Sequence, residues 1–137
     1  MSTKNLILSN DVQEVPQLNM FVDEVCEAVG MDMPTTMQMN LAIEEAVVNV
    51  MNYAYPVGQK GEVRVEAKAG ESYVEFIISD DGMPFNPTEV EAADTTLSAE
   101  ERSIGGLGIL LVKHYMDEVL YKYVDRQNIL TLRKNLK

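Results

Sequence analysis

A narrow polar stripe runs along an otherwise apolar helical segment that ends at Tyr55. At about 100° of helical rotation per residue, one carboxylate and three amides share an arc of roughly 60°: Gln38, Glu45, Asn49 and Asn52. An ordinary wet helix face mixes Lys or Arg with Glu one turn apart, and this stripe contains no base. An Asn oxygen suits Mg²⁺, and a carboxylate one turn away can orient a hydroxyl or water and accept its proton. Taken alone, the stripe fits either a solvated face or a ligand site.

A second segment with chemical potential is Asp80-Asp81-Gly82, which follows an apolar strand pattern. A carboxylate at the end of a strand can accept a hydrogen bond from an exocyclic amine such as that of adenine. Gly82 has no Cβ and would let the backbone approach a ring. Asp-Gly after a strand is also a common turn signal, so this segment gains weight only beside the others.

The third segment is Gly105-Gly106-Leu107-Gly108, directly before a helix expected to begin near Ile109. Backbone N–H groups at a helix N-terminus, together with the helix dipole, favour an anion such as phosphate. No Lys-Ser or Lys-Thr follows at P-loop spacing, and the preceding segment is polar rather than a strand. The strand Lys and His-Arg-Asp loop of eukaryotic protein kinases are also absent.

Hydrophobic periodicity predicts the elements that would position these segments. Period-two alternation and short apolar runs predict strands at 5–9, 62–67, 73–79, 119–124 and 129–132. Apolar spacing of three and four predicts helices at 12–29, from Pro34 to before Pro56, and at 109–116, with Thr35 and Thr36 as capping candidates. The polar, acidic segment 88–108 is long for a loop, as expected of a lid. The order β-α-α-β-β-loop-α-β-β predicts one α/β domain, an α+β sandwich with helices on one face of a mixed, mostly antiparallel sheet.

Composition excludes several classes of function. The 137 residues carry a net charge of −11, which argues against a nucleic-acid or anionic-membrane surface and permits a basic protein partner. The single cysteine, Cys26, lies among apolar helical positions and is expected to be a core residue. A chain without a disulfide, a signal sequence or a long apolar run is expected in the cytoplasm.

Together the three segments resemble the GHKL ATP-binding superfamily. The likeness rests on Glu-x-x-x-Asn, Asp-x-Gly and Gly-x-Gly, in this order and at these separations. Within the superfamily, the chain is most similar to the small bacterial anti-sigma factor serine/threonine kinases. That similarity covers Glu-Glu-Ala-Val-Val-Asn-Val-Met-Asn-Tyr-Ala-Tyr at 44–55, Gly-Gly-Leu-Gly-Ile-Leu-Leu-Val-Lys at 105–113 and Met-Asp-Glu-Val at 116–119.

The resemblance implies a Bergerat-type ATP-binding fold over residues 1–137, with a lid at about 83–105. It also implies that Glu45 is the general base, that Asn49 holds Mg²⁺ and that Asp80 with Gly82 reads adenine. The other residues implied to bind ATP are Asn52, Tyr53, Pro84, Arg102, Gly105, Gly106, Leu107, Gly108 and Ile109. Tyr53 stands where close relatives often have His, and Arg102 is the only base of the lid.

The function implied is an ATP-dependent serine protein kinase that is also an anti-sigma factor. Its substrate would be a serine on an anti-anti-sigma protein, and phosphorylation would release the kinase to hold a sigma factor. The alternatives are a non-catalytic ATP-binding module that sequesters a sigma factor or another regulator, and an acidic scaffold without nucleotide. A histidine autokinase is disfavoured because the only histidine, His114, lies outside any phospho-acceptor context. The family likeness also predicts a homodimer, through the first helix and the first strand with Leu6, Ile7 and Leu8.

Overall fold

The computed structural model describes residues 2–56, 58–89 and 106–136. Five strands form one sheet in the order β1-β2-β3-β5-β4, and all four pairings between them are antiparallel. The expected α/β architecture, with helices on one face of a mostly antiparallel sheet, is confirmed, and every pairing among the described strands is antiparallel rather than mixed. The strands are β1 (Ser2–Ser9), β2 (Glu62–Ala69), β3 (Tyr73–Asp80), β4 (Glu118–Val124) and β5 (Gln127–Asn135).

Three helices cover one face of this sheet. They are α1 (Val15–Ala28), α2 (Met33–Tyr53) and α3 (Gly106–Tyr115), with short 3₁₀ turns at Val12–Glu14 and Pro87–Glu89. α2 packs between α1 and α3. The predicted order of elements is therefore confirmed, while most ends of elements differ by one to a few residues from the predicted ones.

The core lies between the helices and the inward face of the sheet. Alternate residues of β2 and β3 are buried and their neighbours are half-buried, as period-two burial of one face requires. The largest fully buried side chains come from both layers, namely Phe76, Leu8, Leu18, Met39, Ile43, Ile78, Leu130, Leu132, Val22, Val47 and Val63. Cys26 is fully buried, as expected, and burial raises the pKa of its thiol to about 11.

Two local expectations were wrong. The N-cap of α2 is Asp32, whose side chain accepts a hydrogen bond from the Thr35 backbone N–H at 2.7 Å, so neither Thr35 nor Thr36 is the cap. Leu8 is buried in the core and Leu6 packs against it, which leaves only Ile7 exposed among the three strand residues expected at a dimer face. The apolar face of α1 is likewise turned into the core.

Candidate functional site

Asp80 ends β3 as a fully buried carboxylate with one paired and one unpaired oxygen. Its Oδ1 accepts hydrogen bonds from the Gly82 N–H at 2.8 Å and from Asn128 Nδ2 at 2.9 Å. Its Oδ2 is buried without a partner in the described part of the chain. Burial raises the pKa of Asp80, while the bonds from Asn128 and Gly82 and the Arg64 charge oppose that rise. A buried acceptor left unpaired costs about 1–3 kcal/mol, so a ligand that donates a hydrogen bond here would be stabilised.

Asn128 on β5 holds Asp80 in place, and sequence reasoning missed it. Its Nδ2 donates to Asp80 Oδ1 and to the Met83 carbonyl, each at 2.9 Å. Its Oδ1 accepts from the Phe85 N–H at 2.9 Å and from the Tyr121 hydroxyl at 2.5 Å. The buried amide thereby fixes the carboxylate and the loop after β3 at the same time. A signal existed in the sequence, since Asn128 is a polar residue beside the apolar run of β5.

Gly82 is needed where α2 ends against the loop after β3. A Cβ built at Gly82 would lie 2.3 Å from the Ala54 carbonyl oxygen, which already accepts the Met83 N–H at 2.7 Å. A side chain at position 82 would therefore push apart two backbone segments that are hydrogen-bonded to each other. The first and second sequence segments are joined here, because Ala54 directly follows the helix that carries Glu45 and Asn49.

Tyr55 strengthens the same junction. Its hydroxyl donates to the Glu62 carbonyl at 2.6 Å and accepts the Asp81 N–H at 3.2 Å. Burial raises the pKa of Tyr55. A Cβ at Gly61 would lie 2.2 Å from the Tyr55 ring, so a glycine at position 61 leaves room for the ring.

Aromatic side chains stand beside this carboxylate site. The rings of Tyr53 and Phe85 have centroids 5.8 Å apart and an interplanar angle of 41°. Tyr53 ends α2 and Phe85 belongs to the loop that Asn128 holds, so the pair spans the junction. Pro84 and Asn52 are exposed. The aromatic pair and Asp80 at the end of β3 are thus connected through Asn128.

The predicted stripe of α2 differs in burial along its length. Asn49 is one of three buried polar or charged residues among the described ones, with 7% of its surface exposed. Glu45 and Gln38 are half-buried. A nearly buried amide one turn from a half-buried carboxylate is unlike a fully solvated helix face, and an amide oxygen suits a hydrated cation such as Mg²⁺.

Residues 106–108 of the third segment belong to the first turn of α3, not to a loop before it. α3 begins at Gly106, so the expected start near Ile109 was wrong by three residues. Glycine is a poor helix former, which is why the sequence pattern suggested a later start. Gly106, Leu107, Gly108 and Ile109 thus supply first-turn backbone N–H groups, which have no partner inside a helix. Arg102 and Gly105 lie outside the described residues.

Two further observations bear on ligands and partners. Among the described residues, no group of three or more His, Cys, Asp and Glu side chains is placed to hold a metal ion. His114 is exposed on α3, with its ring 5.3 Å from that of Tyr115, as expected of a surface residue.

Helices on one face of an antiparallel sheet, with a buried carboxylate at the end of β3 that has one unpaired oxygen in the described part of the chain, define a two-layer α/β domain. Residues 8–134 match the family described as histidine kinase-like ATPase domain. Since the match covers most of its length, the chain belongs to this family.

Curated relatives of the chain are named as protein kinases. The serine-protein kinase RsbW of Listeria monocytogenes is 29% identical over 103 residues, covering 72% of this chain and 66% of the relative. The serine/threonine-protein kinase BtrW of Bordetella bronchiseptica is 27% identical over 94 residues, covering 69% of this chain and 66% of the relative. The chain thus spans just under two thirds of the length of these kinases.

A solved structure supports the fold. The crystal structure of the RsbU and RsbW domains of a Mycobacterium tuberculosis protein matches 98% of this chain and 32% of its own, with a TM-score of 0.68 and 17% sequence identity. No helix in the described ranges is both long and apolar enough to span a membrane.

Proposed function

We propose that this protein is an ATP-dependent serine protein kinase and anti-sigma factor that acts by partner switching. Membership of the histidine kinase-like ATPase family supports the use of ATP. The names of the RsbW and BtrW relatives support transfer to a serine or threonine of a protein. The substrate would be a serine on an anti-anti-sigma protein, and the second partner would be a sigma factor or a similar regulator. The whole of 1–137 would act as one domain in the cytoplasm.

The observation that carries the nucleotide part of this proposal is the unpaired Oδ2 of Asp80. The exocyclic amine of adenine would donate to this oxygen. Guanine has a carbonyl at the corresponding position, which would place two acceptors against each other. Asp80 would thus select ATP over GTP.

Glu45 and Asn49 would serve the reacting end of the nucleotide. They lie one helical turn apart on α2, Glu45 half-buried and Asn49 nearly buried. Glu45 would orient the incoming serine hydroxyl and accept its proton as the phosphoryl group passes from ATP to the serine oxygen, leaving ADP. Asn49 would hold Mg²⁺, which neutralises phosphate charge when bound.

First-turn N–H groups of α3, at Gly106 and Gly108, would add donors for the phosphates. Gly105, Arg102 and the segment at about 83–105 would complete the site as a lid. Asn52, Tyr53, Pro84, Leu107 and Ile109 would complete the lining around the base and phosphates.

Charge offers a physical reason for release of the product. The chain carries −11, and a phosphoserine adds about −1.5 to −2 to the partner. Repulsion between the acidic kinase and the newly charged partner would weaken their complex. The kinase would then be available to its second partner.

The test is a phosphotransfer assay with Glu45→Gln and its neighbour Glu44→Gln as a matched control. Glu44 is also half-buried on α2 but points about 100° away from Glu45 around the helix. With labelled ATP and a cognate anti-anti-sigma protein, we expect Glu45→Gln to lower phosphoserine formation by ~10²–10⁴-fold. Glu44→Gln should stay within about twofold of wild type, and both variants should keep ATP affinity.

Equal transfer by wild type and Glu45→Gln would contradict the assignment of Glu45 as the base. If both transfer no phosphate yet bind ATP and the partner, the protein is instead a non-catalytic module that sequesters its partner.

A further inference from the structure

The outward side of α2 carries a row of exposed apolar side chains. Met33, Met37 and Leu41 recur every four residues and are 79%, 63% and 46% exposed. Met20 of the neighbouring helix α1 is 64% exposed. Single exposed apolar residues are common on protein surfaces, but a row along one helix side forms a patch, and such patches commonly mark interaction sites.

A polar bridge between α1 and α2 lies next to this row. Asn19 Nδ2 donates to Asn40 Oδ1 at 3.1 Å, and Asn40 Nδ2 donates to Asp23 Oδ1 at 2.8 Å. Met20 directly follows Asn19 and Leu41 directly follows Asn40. Met20 of α1 and Leu41 of α2 therefore lie next to the bridge. We call the surface formed by Met20, Met33, Met37 and Leu41 the seam.

The charge around the seam has a single sign. Neither α1 nor α2 contains Lys, Arg or His. The acids on these two helices are Asp23, Glu24, Glu27, Glu44 and Glu45. Lys4 lies 3.9 Å from Glu24 in an exposed pair, which contributes little. The seam is thus an apolar row within an acidic surface.

This charge pattern decides between occupants. A second copy of the chain would bring the same acids against the seam, and each copy carries −11. An anionic lipid surface would be repelled as well. A protein segment with Lys or Arg beside its apolar residues would be attracted both by the charge of the acids and by apolar contact with the seam.

We propose that the seam formed by Met20, Met33, Met37 and Leu41 is a docking surface for an amphipathic helical segment of a partner protein, with an apolar face and basic flanks. The row from Met33 to Leu41 extends over about 12 Å, or roughly two turns of a helix. Helices commonly dock by laying an apolar face into such a groove. Methionine side chains are flexible and adapt to more than one partner surface.

The seam shares no residue with the polar stripe of α2 that carries Glu45 and Asn49, but it lies next to that stripe. Leu41 lies one turn before Glu45 on α2, so a segment docked over Leu41 would lie beside the candidate base. Docking itself does not rest on the proposed kinase activity, because it requires neither nucleotide nor Glu45. It can therefore be measured without ATP.

The experiment uses two labelled helical peptides of 18 residues with identical Leu faces, one with Lys and one with Glu at its polar positions. Binding to the full chain is followed by fluorescence anisotropy at physiological salt. The Lys peptide should bind and the Glu peptide should not. The double variant Met37→Gln/Leu41→Gln keeps good helix formers on α2 and should weaken binding of the Lys peptide by about tenfold or more.

The matched control is Leu120→Thr, which removes an exposed apolar side chain from β4. Its affinity for the Lys peptide should stay within about twofold of wild type, because the proposal places the apolar contact at the seam and not at other exposed apolar residues. Circular dichroism of each variant verifies the fold.

The proposal is overturned if the double variant binds the Lys peptide as tightly as wild type, since charge alone would then explain binding. It is also overturned if the Glu peptide binds equally well. Sedimentation that shows a dimer of wild type, lost in the double variant, would assign the seam to a second copy instead.

Discussion

At Asp80, the two oxygens of one carboxylate have different environments. Oδ1 is held by Asn128 and Gly82, and Oδ2 is buried and unpaired. The paired oxygen sets the orientation of the side chain, which leaves the other oxygen directed and desolvated before any ligand arrives. Preorganisation of this kind lowers the ordering cost of binding.

Replacement of Asp80 by Asn should weaken ATP binding by roughly 1.5–3 kcal/mol, the range for a hydrogen bond to a charged group. The variant amide can still accept from Gly82 and Asn128, but it presents a donor to adenine where wild type presents an acceptor. GTP should bind wild type poorly. Calorimetry with both nucleotides measures these effects.

The control for this substitution is Asp81→Asn. Asp81 is exposed, and its Oδ1 accepts from Arg64 and Gln127, each at 3.1 Å. It should leave ATP affinity within about twofold, because an exposed ion pair contributes little. Equal affinity of wild type for ATP and GTP would contradict the proposal that Asp80 recognises adenine.

The raised pKa of Asp80 predicts a pH dependence of stability in the ligand-free protein. Between the ordinary pKa of an Asp and the raised one, the folded state holds more protons at Asp80 than the unfolded state does. This group therefore makes the free energy of unfolding fall as pH rises through that window. Asp80→Asn cannot titrate, so its stability relative to wild type should increase with pH across the window and level off above it.

Urea unfolding of wild type and Asp80→Asn over a pH series measures that difference. Asp81→Asn, for which this burial is absent, serves as the reference variant. A difference between Asp80→Asn and wild type that stays constant with pH would show that the pKa of Asp80 is not raised.

At the scale of elements, the β4–β5 hairpin turns through two residues in the left-handed region. Asp125 has φ 52° and Arg126 has φ 65°. Two-residue hairpins favour such a turn because its twist matches that of the strands, and glycine is the preferred second residue. Arginine there holds a backbone conformation that costs about 1–2 kcal/mol.

Arg126→Gly should therefore raise the free energy of unfolding, by up to about 1 kcal/mol after the added chain entropy of glycine is counted. Lys122→Gly, in the middle of β4, should lower it, because glycine weakens a strand interior. Urea denaturation of the two variants compares them. A loss of stability in Arg126→Gly would mean that the arginine side chain contributes more than the turn conformation costs.

The order of elements was predictable because helical and strand periodicities differ strongly along this chain. The ends were harder, since they depend on capping contacts rather than on periodicity. Asp32 caps α2 although Thr35 and Thr36 have suitable side chains, and α3 starts on a glycine. The hairpin turn at Asp125 and Arg126 contains no glycine, so the sequence lacks the usual signal for such a turn.

Site residues within one local motif were easier to predict than those that act across the sheet. Asp80 and Gly82 follow a strand pattern, which made them candidates from the sequence alone. Asn128 was missed because its partners Asp80 and Met83 come together only through the antiparallel pairing of β3 and β5. Neither periodicity nor composition reports such a pairing.

At the scale of the whole molecule, Asn128 joins segments that are distant in sequence. Its bonds reach β3 at Asp80, the following loop at Met83 and Phe85, and β4 at Tyr121. Asn128→Ala would remove these four hydrogen bonds, of which the one to Asp80 Oδ1 is fully buried. It should lower the free energy of unfolding by at least about 2 kcal/mol, since a typical intramolecular hydrogen bond contributes about 0.5–1.5 kcal/mol.

Gln127→Ala is the matched control, since among the described residues the Gln127 side chain bonds to the exposed Asp81 carboxylate, at 3.1 Å. It should change the free energy of unfolding by less than about 0.5 kcal/mol. Thermal or urea unfolding of the two variants gives the comparison. Similar stabilities would show that water replaces the bonds of Asn128.

The pairing of β1 has a consequence for the order in which the chain can fold. Ser2 pairs with Ala69 and Ser9 with Glu62, so β1 finds its one partner among the described strands across both α1 and α2. During synthesis β1 leaves the ribosome before β2 and stays unpaired until β2 has emerged, because a contact across roughly sixty residues requires closure of a long loop. Leu8, buried in the finished core, stays exposed to solvent until then. The nascent chain therefore exposes its first strand until β2 emerges, and a chaperone that covers this strand would shield it from aggregation over that interval.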